Sequence, residues 1–344
     1  MTEYLDASEK CYHAIIENAK RSKKEILLCY FSAGVSVMFS NLADVLIERA
    51  RSGVKVKLLV DDVGAMFKLP LKYKKALETL GIEIKRFNVI FKQSGINKFC
   101  RLHIKTAVFD GERCVYGGLN LGDEYVNIIE KCGHWKESGF FTDEKCVKEI
   151  RKYFFDLWNE KPVAEKRKNN GYFVNGERLR FKRLTNRLSE ALREAKRSIV
   201  IATPYFVPPY KTLCDLISAS LSGVKVTLII PGRPDKRAVY ALTLLYADIL
   251  RSFGAEIKRY GRGFIHQKTV LLDGERAFVG SMNIDYGSFY NNIESCAEIA
   301  DEKFVKSVGD DLKNILSESV PFERKRTLKE KIAGFLIFPF KKFC

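Results

Sequence analysis

No run in this 344-residue chain reaches the ~20 consecutive apolar residues of a membrane-spanning helix, so no span is expected. No apolar leader follows Met1-Thr2-Glu3-Tyr4-Leu5-Asp6. The nine cysteines are odd in number and include no Cys-x-x-Cys pair. Both absences point to a reduced, cytosolic setting without disulfides. Cys132, His134 and Cys146 come nearest to a zinc set, yet a fourth ligand and a recognisable spacing are lacking, so no structural metal and no cofactor are expected. Acidic residues are also short, 42 against 59 basic ones, and the formal charge of +17 implies an anionic partner, either nucleic acid or acidic lipid. Histidine is scarce, with four in all, which gives weight to where each one stands.

What the chain does contain is a duplication. His103-Ile104-Lys105, Asp110-Gly111-Glu112-Arg113 and Gly117-Gly118-Leu119-Asn120 recur 163 residues later as His266-Gln267-Lys268, Asp273-Gly274-Glu275-Arg276 and Gly280-Ser281-Met282-Asn283. So long a period marks a doubled domain, since solenoid repeats run ~20 to 50 residues. Residues 26–31 match 201–206 loosely, 52–59 match 222–229 closely, and 80–87 match 253–260. The first copy carries ten extra residues before its histidine, so residues from about 88 to 99 are expected as a loop near the site mouth. The length and an apolar content of 46% suit two domains with real cores. The expected division is a first unit over 1–164, a charged connection over 165–171, a second unit over 172–327 and a C-terminal segment over 328–344.

Each copy alternates strand and helix. Val54-Lys55-Val56-Lys57-Leu58-Leu59-Val60 and Val224-Lys225-Val226-Thr227-Leu228-Ile229-Ile230 read as strands, each entered from a helical run that ends at Ser-Gly. The fold class is therefore α/β: two duplicated units, each a mixed sheet flanked by helices. Apolar strands over 103–109 and 113–116, and over 266–272 and 277–279, are joined through Asp-Gly and predict hairpins. Residues two apart share a face of a strand, so His103 is expected beside Lys105 and His266 beside Lys268. Asp110 and Asp273 fall at the turns, where aspartate before glycine serves the backbone, so their role is expected to be mainly structural. The small pairs Gly117-Gly118 and Gly280-Ser281 are expected to let the backbone approach a ligand, with Asn120 and Asn283 as uncharged donors.

His13 and His134 have no counterpart in the other copy, which singles out His103 and His266 as a pair meeting across the domain interface. A neutral imidazole can attack phosphorus while a protonated one donates to the leaving oxygen. Two lysines and two asparagines would hold the phosphate charge, a set suited to phosphodiester cleavage without a metal. Each imidazole then needs an acceptor for its other nitrogen. The repeat offers Glu137-Ser138 and Glu294-Ser295, so Glu137 is expected to orient His103 and Glu294 to orient His266, with Glu130 as the alternative in the first copy.

Paired His-x-Lys-x-x-x-x-Asp motifs with trailing Gly-(Gly/Ser)-x-Asn resemble the phospholipase D superfamily. Thr203-Pro204-Tyr205-Phe206-Val207-Pro208, Asn120-Leu121-Gly122-Asp123-Glu124-Tyr125 and the basic, aromatic C-terminal segment look like its bacterial cardiolipin synthases, in a peripheral form without N-terminal transmembrane helices. The resemblance runs from about Glu25 onward, although Leu102 and Ile104 stand where family members often have Asn or Gln and Arg. It implies two units related by a pseudo-twofold, one active site at their interface and a phosphohistidine intermediate. It also implies a phosphatidyl transferase that joins two phosphatidylglycerols into cardiolipin and releases glycerol. Carried over, His103 attacks phosphorus, and His266 protonates glycerol and then activates the incoming hydroxyl, with the exchange of the two roles as the alternative that the symmetry of the motifs allows. Hydrolysis of lipid, or of nucleic acid, is the alternative within the superfamily. The expected partners are anionic phosphatidylglycerol and a membrane surface, with no obligatory nucleic acid, and the expected location is peripheral on the cytoplasmic face of the cell membrane. Residues 328–344, apolar and aromatic among lysines, are expected in the membrane interface, with docking on the protein's own core as the alternative. The mixture Met66-Phe67-Lys68-Leu69-Pro70-Leu71-Lys72-Tyr73 suits a bilayer better than the stacking of bases.

Overall fold

The computed structural model describes residues 1–92, 100–161, 172–175 and 183–322. Most of the extra loop (93–99), the connection (165–171) and the C-terminal segment (328–344) lie outside the described residues. The apolar strands pair into two large sheets. The first runs Thr2–Leu5, Gly139–Thr142, Arg113–Gly117, Thr106–Phe109, Glu25–Tyr30, Lys55–Asp61, Ile82–Phe87. The second runs Tyr172–Asn175, Glu294–Ile299, Arg276–Gly280, Thr269–Leu272, Ser198–Ala202, Lys225–Pro231, Glu256–Tyr260, Ser319–Pro321. The orders match strand for strand, and among the described residues only Ser319–Pro321 has no counterpart. Both sheets are mixed. Glu25–Tyr30, Lys55–Asp61 and Ile82–Phe87 are parallel, because the helices Val37–Arg51 and Leu71–Thr79 carry the chain back between them. The remaining pairs of the first sheet are antiparallel.

Alternation along these strands decides which core each side chain enters. Ile26, Leu28 and Tyr30 pack with Ile15 and Phe39 of the helices Ser8–Arg21 and Val37–Arg51. Leu27 and Cys29 face the opposite way, into a core that also holds Ala202, Leu271 and Val279 of the second unit. That shared core includes one face of each of two helices, Cys146–Trp158 through Val147, Ile150 and Phe154, and Glu302–Ser317 through Phe304, Val308 and Leu312. The halves are thus joined by apolar burial, and a truncation such as Phe304→Ala would cost about 3–5 kcal/mol.

Two sequence expectations change here. Ile26 pairs with Val56 and Phe109 as Ile199 pairs with Val226 and Leu272, so residues 26–31 correspond to 199–204 and not to 201–206. A slip of two residues keeps the alternation intact, and the hydrophobic pattern could not reveal it. The strands expected to start at the histidines begin instead at Thr106 and Thr269. The residues before them leave their own sheet to pair with the other unit. Leu102 bridges Ile293 in parallel, His103 N–H donates to the Ile293 carbonyl at 2.9 Å, and Ile293 N–H to that of Arg101 at 2.8 Å. Gly263–Ile265 pairs in parallel with His134–Lys136, and His266 N–H donates to the Lys136 carbonyl at 2.7 Å.

The two hairpins turn through Asp110-Gly111 and Asp273-Gly274, with φ of 57°, 71°, 55° and 71°. Positive φ at both central residues is the I′ turn that Asp-Gly favours. The Asp110 carboxylate accepts from the backbone N–H groups of Lys23, Lys24 and Glu25 at 2.7–3.2 Å, and that of Asp273 from Lys196, Arg197 and Ser198 at 2.7–2.9 Å. Each aspartate therefore ties its turn to the start of the neighbouring strand.

Candidate active site

The exchanged segments place the two histidines. Because Leu102 and His103 pair with Ile293, His103 lies next to Glu294, its Nδ1 at 2.8 Å from Oε1 and 2.9 Å from Oε2. Because Gly263–Ile265 pairs with His134–Lys136, His266 Nδ1 meets Glu137 Oε2. The pairing expected within each copy is therefore wrong: Glu294 orients His103, and Glu137 orients His266. Glu130, the alternative partner for His103, is exposed on the loop before His134.

Both glutamates are fully buried. Burial raises a carboxyl, but Lys268 and His266 beside Glu137, and His103 and Lys105 beside Glu294, outweigh it and hold both below the ordinary carboxylate range. An ionised carboxylate only accepts hydrogen bonds, so each imidazole carries its hydrogen on Nδ1 and presents a lone pair on Nε2. Burial, with the lysines adding to it against the pull of the glutamates, lowers His103 to about 4 and His266 to about 3. Both rings are thus neutral near pH 7. Burial is also the main reason that Lys105 falls to about 7 and Lys268 to about 8. Each ammonium donates to the carbonyl of the histidine two residues before it, Lys105 at 2.6 Å. Lys105 and Lys268 each feel both glutamates, which places the two motifs in one electrostatic cluster.

The copies differ around the carboxylates. Glu294 receives Ser281 Oγ at 2.5 Å, Ser288 Oγ at 2.8 Å and Asn292 Nδ2 at 3.1 Å. Glu137 receives the Ser138 N–H at 3.1 Å, and Gly118 takes the place of Ser281. A Cβ on Gly118 would collide with the Glu137 carboxylate. Gly118 therefore makes room for the glutamate, and Gly117 for the backbone of Ser138 and Gly139. Asn120 Oδ1 accepts from the Ser32 N–H at 3.2 Å, while Asn283 Oδ1 is buried with no hydrogen-bond partner among the described residues. The walls differ too. Phe31 meets the His103 ring edge-on at 5.5 Å, whereas Tyr125, Trp135 and Phe264 surround His266 at 5.6, 4.9 and 5.8 Å.

Sequence reasoning missed Ser288 and Asn292, and also Asp61. The Asp61 carboxylate, fully buried and raised by that burial to about 6, accepts the Leu102 N–H at 2.8 Å and Arg101 Nη1 at 3.2 Å. It anchors the residue before His103. Its counterpart in the second unit is Pro231, and that break in the repeat was the available signal. Asp110 and Asp273 sit at the far end of the hairpins, bound to backbone. Among the described residues, no three His, Cys, Asp or Glu side chains are arranged to hold a metal.

Neutral imidazoles backed by buried carboxylates, with two lysines close enough to act on both rings, can bind an anionic phosphodiester and attack it. Residues 15–158 and 188–316 match the family model described as cardiolipin synthase, phospholipase D-like domain. The chain is 33% identical over 340 residues to a cardiolipin synthase of Oceanobacillus iheyensis, covering 94% of this chain and 70% of that one. It is 31% identical over 335 residues to the major cardiolipin synthase of Bacillus subtilis, covering 93% and 68%. It is 31% identical to cardiolipin synthase 2 of Bacillus cereus, where it spans 65% of the relative's length. Among solved structures, phosphatidylserine synthase of Haemophilus influenzae shares the fold, with a TM-score of 0.76 over 100% of this chain and 95% of that one at 16% identity. The chain therefore belongs to the cardiolipin synthase family of phospholipase D-like enzymes and is a phosphatidyltransferase of that type.

Proposed function

We propose that this enzyme makes cardiolipin by moving the phosphatidyl group of one phosphatidylglycerol onto a hydroxyl of a second, releasing glycerol, through a phosphohistidine on His103. The observation that carries this reading is the pair of crossed His–Glu contacts, each with a buried lysine two residues on, gathered in one cluster.

In the first step the Nε2 lone pair of His103 forms a bond to phosphorus as the bond to the glycerol oxygen breaks. His266 supplies the proton that glycerol carries away. Both rings are neutral before substrate arrives, so the proton on His266 is coupled to binding: a phosphodiester anion beside the rings favours their charged form. In the second step the hydroxyl of the second lipid returns its proton to His266, its oxygen bonds to phosphorus, and the bond to His103 breaks. Lys105 and Lys268 balance the non-bridging oxygens, with Asn120 and Asn283 as neutral donors. Asp110 and Asp273 take no part. Water reaching the intermediate would yield phosphatidic acid, and the rings of Tyr125, Trp135 and Phe264 around His266 form an apolar wall against it.

The setting is the surface of an anionic membrane. The charge of +17 favours it, and no helix among the described residues is long and apolar enough to cross a bilayer. The test is to incubate the purified chain with phosphatidylglycerol vesicles and resolve the lipids by mass spectrometry. Cardiolipin with an equal yield of glycerol is expected. Phosphatidic acid alone would make the enzyme a phospholipase, and unchanged lipid with cleaved DNA a nuclease.

A further inference from the structure

We infer that the loops following the three parallel strands of the first unit form the surface by which this protein rests on an anionic bilayer, with Phe67 and Phe91 placed among the lipids. The inference builds on the proposed lipid substrate and adds the face that meets it.

Glu25–Tyr30, Lys55–Asp61 and Ile82–Phe87 run parallel, so the segments 31–37, 62–71 and 88–92 all emerge at one end of the sheet. They are tied together. Val35 N–H donates to the Lys68 carbonyl at 2.8 Å, Arg86 to the Leu69 carbonyl at 2.5 Å, and Ile90 N–H to Asp62 at 3.2 Å. On this one rim Val35 is 61% exposed, Val37 56%, Leu71 65%, and Phe67 and Phe91 are each 91% exposed. Single exposed apolar residues are ordinary, but two almost bare phenyl rings with three aliphatic neighbours mark an interaction surface. At the other end of these strands Leu80, at the helix stop before Gly81, is 36% exposed, and Leu221 and Phe253 are exposed at the corresponding helix stops of the second unit.

Three features select a lipid surface as the occupant. Lys72 and Lys75 are exposed on the helix Leu71–Thr79 that begins in the patch, and cations beside apolar insertions are what an anionic leaflet attracts. The aromatic rings are interleaved with Val35, Val37 and Leu71, which fit acyl chains and offer nothing for stacked bases. The patch also rims the site. Segment 31–37 begins with Phe31, whose ring meets His103, and Asp61, at the head of segment 62–71, holds the backbone just before that histidine. A bilayer seated there would present headgroups to the nucleophile.

The test uses the full chain and sedimentation with vesicles of equal phosphatidylglycerol and phosphatidylcholine. The double variant F67S/F91S is expected to bind about tenfold more weakly than wild type, since the loss scales with buried apolar area. The control F253S, in the second unit and outside the three loops, should bind as wild type does. All three should melt within about 2 °C of one another, as exposed substitutions do. Equal binding by wild type and F67S/F91S overturns the proposal, as does an equal loss in F253S. The lipid product is read separately: wild type that binds but forms no cardiolipin defeats the catalytic reading and leaves the docking face standing. Cardiolipin formed with binding unaffected by F67S/F91S does the reverse.

Discussion

His103 Nδ1 lies 2.8 Å from Glu294 Oε1, a contact that spans 191 positions and the boundary between the two units. His266 and Glu137 repeat it in the opposite direction. Neither unit holds a complete pair, so each histidine depends on the other half for its tautomer and its orientation. The approximate twofold therefore serves the chemistry directly.

Crossed pairing makes a prediction that pairing within units reverses. With a phosphatidyl ester of p-nitrophenol, whose leaving group needs no proton, Glu137→Gln and His266→Ala should still form the adduct on His103 and accumulate it. Glu294→Gln and His103→Ala should not form it, with rates down by about 10²- to 10⁴-fold, the scale on which an orienting carboxylate acts. Intact-protein mass spectrometry after rapid quenching reads the adduct. With the adduct mapped to His103, accumulation in Glu294→Gln together with its loss in Glu137→Gln would show that the pairs do not cross; the same result with the adduct on His266 would exchange the two histidine roles.

Activity should fall on the alkaline side. Lys105 and Lys268, lowered to about 7 and about 8 mainly by burial, are charged below those values and lose the positive charge that holds phosphate as pH rises through them. The kcat/KM profile should thus decline from about pH 7 to 9. Lys268→Arg keeps its charge throughout and should move part of that limb upward, at a lower plateau because guanidinium geometry differs. A limb unmoved by this variant assigns it to another group.

Acid should weaken the fold. The histidine values of about 4 and about 3 lie below the ordinary 6.5, so as pH falls from about 6.5 the unfolded chain takes up protons that the folded site refuses. The histidine contribution is therefore lost progressively between about pH 6.5 and 3, opposed in part below about pH 6 by Asp61 and Asp285, whose burial favours their protonated forms. Glu137 and Glu294, held below the usual carboxylate range, add a loss of the same sign at the lower end of that window. Urea midpoints measured across this range should fall with pH, and the double variant His103→Gln/His266→Gln should flatten the upper part. An identical slope in that variant would remove the histidines from the explanation.

The turn aspartates should separate stability from chemistry. Asp273→Ala and Asp110→Ala each leave three backbone N–H groups without their acceptor. A cost of about 1–2 kcal/mol in denaturant unfolding is expected, with turnover per folded molecule within about twofold. A hundredfold loss of turnover in a folded variant would return these residues to the reaction.

Much of this was legible in the residues. The doubled His-x-Lys motif, the Asp-Gly turns and the alternating strands announced two α/β units and the side chains of one site, because local pattern and chemistry act over short distances. Which glutamate serves which histidine was not legible. A repeat alignment states that Glu137 and Glu294 are equivalent, and under a twofold the pairings within and across the copies satisfy that equivalence alike. The choice falls to segments 101–103 and 263–266, which leave their own sheets and pair with the strand ahead of the opposite glutamate. The two-residue offset at residues 26–31 was hidden because it preserves alternation, and the space at Gly118 is set by a carboxylate distant in sequence. Sequence by itself determined the fold class and singled out the candidate catalytic side chains. Tertiary structure decided their partners, since a carboxylate's reach depends on where separate backbone segments meet in space.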